Sequence, residues 1–151
     1  LIQKIWDENM KNNNYIEAST NAILSFQMLE EVLKICIGLS YEIIQLSIPK
    51  PLQFRFQAND INNLPLEQLV SKYKVITSKP EQADEIKKII KWRNFIAHNA
   101  FRHEFLSRTD NSPFDKHSPE DITKVLTETK RLISCLAEEM KELQQTLKSL
   151  K

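Results

Sequence analysis

Apolar residues recur along most of the chain at three-, four- and seven-residue steps, the spacing that lines one face of an α-helix. Between Tyr15 and about Ile48 the stripe is Ile16, Ile23, Phe26, Leu33, Ile37, Tyr41 and Ile44. Val32, Ile35, Leu39, Ile43 and Leu46 add a second apolar face, which predicts a central helix with neighbours on more than one side. Pro49-Lys50-Pro51 ends it, because proline disfavours helical geometry in the residue before it. Ahead of this helix, a short amphipathic segment over residues 1–10 runs into Lys11-Asn12-Asn13-Asn14, a polar run that reads as a break. Residues 52–63 follow no helical period, and a brief helix is expected over Leu66 to Tyr73.

Ser78-Lys79-Pro80-Glu81 has the form of a capping box, in which a serine oxygen accepts an exposed backbone N–H and a glutamate reaches back. It opens a helix expected to reach about Phe101. A polar loop then covers residues 106–117, with Pro113 inside it. Ser118-Pro119-Glu120-Asp121 starts the last helix, with proline at the first helical position, where its missing N–H costs nothing. Ile122, Val125, Leu126, Leu132, Ile133, Leu136, Met140, Leu143 and Leu147 carry its stripe nearly to Leu150.

Glycine changes the picture most. One glycine in 151 residues leaves almost nothing suited to hairpin turns, and the six prolines sit in three stretches between the periodic segments. The fold class is therefore all-α: an antiparallel bundle of four to five helices, two of them near 30 residues, in a single domain over 1–151. Helices of that length would overhang shorter partners, and overhanging apolar surface points to a partner subunit. No apolar run approaches the ~20 residues needed to span a bilayer. Lys4, Asp7 and Glu8 interrupt anything resembling a signal peptide. Cys36 and Cys135 both lie in apolar helical surroundings and read as small buried hydrophobes in a reducing compartment, so the cytoplasm is the expected location. The chain starts at Leu1 instead of Met, which fits a fragment of a longer protein.

Candidate chemistry concentrates in the helix that follows Pro80. At about 100° per residue, Ile89, Ile90, Ile96, Ala97 and Ala100 fall within about 80° of Ile86, and Arg93 lies in the middle of that apolar stripe. An unpaired guanidinium buried there would cost several kcal/mol, so it requires a carboxylate, a helix carbonyl or a wet interface. Lys87, Lys91, Asn94, His98 and Arg102 form the adjoining polar face. From Ile86 to His103 there are five Lys or Arg and no Asp or Glu, while the whole chain is only +1. A local charge of that size attracts phosphate. Asn94 and His98, four residues apart, are spaced to hydrogen-bond and so orient the imidazole. The histidines do not suit a metal: His98 and His103 are five apart, off one helical face, and His117 is remote. Gly38 alone cannot build a phosphate-binding loop, so P-loop and dinucleotide chemistry are excluded and no cofactor is expected.

Arg93-Asn94-Phe95-Ile96-Ala97-His98 resembles the Arg, polar residue, spacer, His motif of the HEPN family (higher eukaryotes and prokaryotes nucleotide-binding domain). Residues 29–38, LEEVLKICIG, look like that family's Glu-x-x-Leu-Lys helix, with matches at Glu30, Leu33 and Lys34. The resemblance covers most of the chain from Tyr15 onward. It implies a metal-independent endoribonuclease of the toxin or antiphage type, with Arg93, His98 and Asn94 meeting their counterparts at a homodimer interface. RNA would be the substrate, and an antitoxin or an associated regulatory domain a further partner. Glu30 shares a wheel face with Ile16, Ile23 and Ile37, and is expected to be a buried positioning charge paired with Arg93. Lys87, Lys91, Arg102 and His103 would hold the RNA backbone. Family members restrained by modification of a tyrosine two residues after the histidine differ here, because that position is Ala100. Two rival readings stay open: a non-catalytic HEPN-like module that binds RNA, nucleotide or a protein, and a plain helical oligomerisation module.

Overall fold

The computed structural model describes residues 2–107 and 119–151, with side chains described at 2–4, 16–98 and 120–151. The described residues form an all-helical bundle without strands: α1 (Ile2–Ser47), α2 (Asn59–Asn62), α3 (Leu66–Ile76), α4 (Pro80–Ser107) and α5 (Pro119–Leu150). Three helices are long, at 46, 28 and 32 residues.

Helix α1 does not break at residues 11–14. Asparagine costs only about 0.5 kcal/mol per residue relative to alanine in a helix, and neither glycine nor proline interrupts the run, so propagation continues through it. Pro49 ends α1 as expected, and the Lys50–Pro51 peptide bond is cis. α3 runs one turn past Tyr73, to Ile76. Pro80 is the first residue of α4. Just ahead of the helix, Thr77 Oγ1 accepts the Lys79 N–H at 3.1 Å and the Gln82 N–H bonds the Lys79 carbonyl at 3.0 Å, which makes Lys79 rather than Ser78 the residue flanking the first turn. α4 passes Phe101 and ends at Ser107; the remainder of the expected loop and the Ser118 cap lie outside the described residues. α5 begins at Pro119 and ends at Leu150, as its stripe requires.

The described chain divides into two compact units, residues 1–27 with 89–130 and residues 28–88 with 131–151. In the first, Ala22 and Phe26 of α1, Ile89, Ile90 and Ile96 of α4, and Ile122 and Val125 of α5 are buried. Ser25 is buried beside them and donates to the Ala22 carbonyl at 2.7 Å, and buried Thr129 donates to the Val125 carbonyl at 2.7 Å. Each hydroxyl is thereby satisfied within its own helix.

In the second unit Leu29, Leu33, Cys36 and Ile37 of α1 are buried, with Leu66, Leu69, Val70 and Tyr73 of α3, Ala83 and Ile86 of α4, and Leu132 and Leu136 of α5. Each large aliphatic residue contributes about 1.5–3 kcal/mol by leaving water. A polar knot lies among them. Glu139, 6% exposed, accepts the Tyr73 hydroxyl at 2.5 Å and the Thr77 hydroxyl at 2.7 Å, one on each carboxylate oxygen. Gln82 Oε1 is 3.2 Å from the same tyrosine oxygen. Burial, with help from Glu139, raises the Tyr73 pKa, and it pushes the Cys36 thiol up to about 12. Cys36 reads as the sequence suggested; Cys135 is only half-buried, with its sulfur 3.9 Å from an Arg131 nitrogen. Arg131 also pairs with Glu85, and Lys74 with Asp84 at 2.7 Å.

The second apolar face of α1 is left largely open: Ile35 is 46% exposed and Leu46 51%, while Val32, Leu39 and Ile43 are half-buried. Across residues 52–57 the chain is neither helix nor strand, and Phe54 and Phe56 pack edge-on against Tyr41 of α1, with centroids 5.2 and 5.4 Å from it.

Candidate nucleic-acid interface

α4 carries the candidate residues because Pro80 opens it and nothing between Glu81 and Ser107 stops it. Ile86, Ile89, Ile90 and Ile96 are buried, so the stripe drawn from the sequence is the inward side as far as Ile96. Ala97, expected to continue it, is exposed. Ala100, Arg102 and His103 have no described side chains, and their placement on a common face lies outside what the structure describes.

Arg93 is half-buried rather than enclosed, and it is engaged by interactions of its own. Partial exposure and those interactions lower the expected cost of a guanidinium in an apolar stripe. Lys91, Asn94 and His98 are exposed in the same unit. No hydrogen bond joins Asn94 to His98 among the described residues, so the imidazole is not oriented by that amide. Lys87, also exposed, belongs to the second unit.

Glu30 likewise belongs to the second unit, and its carboxylate is 3.3 Å from the Lys34 ammonium one turn along α1. With a quarter of its side chain exposed, it is not the enclosed charge expected of it. Its i,i+4 spacing to Lys34 supplies a partner on its own helix, so no arginine from elsewhere is required. Glu31 takes the same ammonium at 3.2 Å. Burial opposes the Lys34 charge, yet the hydrogen bonds to Glu31 and Glu30 outweigh it and hold its pKa above the ordinary lysine value.

Sequence reasoning passed over Trp92 and Phe95. Their rings meet edge to face, centroids 6.3 Å apart at 83°, and both are half-buried. They interleave with Lys91, Arg93 and His98, an alternation of π-faces and cations that suits single-stranded nucleic acid. The i,i+3 spacing of two aromatics inside a basic segment was the signal available. Among the described residues, no group of three or more His, Cys, Asp or Glu could hold a metal ion. No helix is long and apolar enough among them to cross a membrane. Compared with protein families, with curated proteins and with solved structures, the chain matches none, so the likeness to the HEPN family rests on its two motifs.

Proposed function

We propose that this chain is a metal-independent endoribonuclease of the toxin or antiphage type, whose active site is completed by a second copy. One observation carries the reading: an exposed His98 lies five residues after a half-buried Arg93, on a helix segment rich in cations and free of carboxylates. Five residues separate the two by about 140° and ~7.5 Å of rise, too divergent to meet on one phosphate. Two copies facing across a two-fold axis supply two arginines and two histidines to one phosphodiester.

In this scheme His98 removes the proton from a ribose 2′-hydroxyl. The 2′-oxygen bonds to phosphorus, and the 5′-oxygen leaves with a proton from the partner's His98. The products are a 2′,3′-cyclic phosphate and a 5′-hydroxyl. Arg93 holds the charge that builds on the non-bridging oxygens. Asn94 contacts the phosphate, and Lys91, Lys87, Arg102 and His103 hold the backbone without reading sequence. Trp92 and Phe95 offer edges and faces on which unpaired bases stack.

The missing hydrogen bond on His98 favours a second reading, a HEPN-like domain that binds RNA or nucleotide without cutting it. Wild-type protein incubated with mixed RNA in EDTA distinguishes the two. Cleavage to cyclic-phosphate ends, reduced at least ~100-fold in His98→Ala with fold intact, supports the nuclease. Retention of RNA without cleavage supports the binding domain.

A further inference from the structure

We infer that residues 28–46 of α1 form a docking face for an amphipathic helix of another polypeptide, one that carries Lys or Arg along an edge of its apolar stripe. At about 100° per residue, Met28, Val32, Ile35, Leu39, Ile43 and Leu46 fall within an arc of about 80°. Met28 is 60% exposed, Ile35 46% and Leu46 51%, and the other three are half-buried. The stripe runs for five turns, about 27 Å, and offers on the order of 400 Å² of apolar surface, the size at which an exposed patch marks an interaction site. Its period is that of a helix partner, which docks through residues at i, i+4 and i+7.

Gly38 supports a close approach. A glycine in mid-helix costs about 1 kcal/mol relative to alanine, and a methyl group added here would meet nothing within 4 Å. Nothing among the described residues crowds that position. A second helix laid beside this edge would, because its backbone then comes nearer.

Charge selects the occupant. Glu31 and Glu42 flank the same side of the stripe as Gly38. The only base on α1 between Tyr15 and Ser47 is Lys34, already held by Glu30 and Glu31. A second copy laid on this face would bring no free cation to the glutamates, and in the antiparallel arrangement would set acidic edge against acidic edge. An anionic lipid surface meets the same repulsion. Lys34 offsets only one charge among Glu30, Glu31 and Glu42, so this stretch stays net negative, and a helix with a basic edge suits both the apolar stripe and that charge. The inference does not depend on nuclease activity.

The test uses two labelled helical peptides with leucines at i, i+4, i+7 and i+11, one flanked by lysines and one by glutamates, with binding followed by fluorescence anisotropy. The lysine peptide is expected to bind at least about tenfold more tightly, with the preference shrinking as salt rises. Ile35→Asp, checked for helicity by circular dichroism, abolishes binding. Glu42→Lys, which leaves the apolar stripe untouched, narrows the preference between peptides, and Lys91→Glu leaves it unchanged. Equal affinity for the two peptides, absence of binding, or full binding by Ile35→Asp overturns the inference. So does a wild-type dimer in sedimentation that Ile35→Asp converts to monomer, or adsorption of the wild type to phosphatidylglycerol vesicles that Ile35→Asp abolishes.

Discussion

Two polar regions of this molecule use similar residue types to opposite ends. Around Glu139, a carboxylate, a phenol and a threonine hydroxyl close on one another out of water, so their partners are all inside the second unit. Along α4 of the first unit, Lys91, Asn94 and His98 are exposed, and no hydrogen bond joins Asn94 to His98 among the described residues. A satisfied buried group reports on folding. An exposed group set in an excess of like charge adds little to folding and attracts anions.

The contrast is sharpest at Glu139. Glu139→Leu removes the acceptor shared by Tyr73 and half-buried Thr77, leaving the tyrosine only Gln82, and is expected to cost about 2 kcal/mol in denaturant unfolding. Replacing Tyr73 with Phe and Thr77 with Val in the same chain removes both hydroxyls and recovers more than half of that loss. If the single variant is as stable as wild type, the buried knot is not a folding element and the distinction fails. Lys91→Ala is expected to leave unfolding within ~0.5 kcal/mol of wild type while lowering the salt slope of RNA binding by about 0.7, the release of one counterion from a single strand. A change in stability with an unaltered slope would move Lys91 to the structural side.

The smallest effect belongs to the exposed Lys74–Asp84 pair. The hydrogen bond from Lys74 holds the Asp84 carboxyl below its ordinary value. Its contribution is therefore present above the unfolded aspartate pKa and disappears as pH falls through the lower folded value. Solvent screening keeps it slight. In Lys74→Met, unfolding midpoints should match wild type at neutral pH within the scatter of a titration, and any difference should vanish in acid. The two thiols sharpen the same divide: at mildly alkaline pH a disulfide reagent should label Cys135 readily and Cys36 only on unfolding, since burial holds the Cys36 thiol near 12.

What the chain made legible follows its range. Proline punctuation and helical periodicity act over a few residues, and they located the end of α1, the start of α5 and the inward side of α4 up to Ile96. Local signals misled where two were in balance. Asn12, Asn13 and Asn14 look like a break but carry too small a penalty to stop a helix. Ser78 looks like a cap from its spacing to Glu81, yet the first turn closes on the Lys79 carbonyl, one residue later, and only the backbone path decides that. The Tyr73–Glu139 contact joins residues 66 apart, and nothing in either neighbourhood announces it. For the site, charge clustering and the Arg93–His98 spacing were readable, whereas Glu30's choice of Lys34 depended on competition with a nearer cation.

The seams between the two units all fall inside helices: after Gln27 in α1, after Lys88 in α4 and after Lys130 in α5. A single residue inserted at any seam turns everything beyond it in that helix by about 100°, swapping inward for outward side chains, whereas an insertion among residues 52–57 merely lengthens a connection. Length changes in this lineage should therefore gather in the connections, and the helices should evolve by substitution alone.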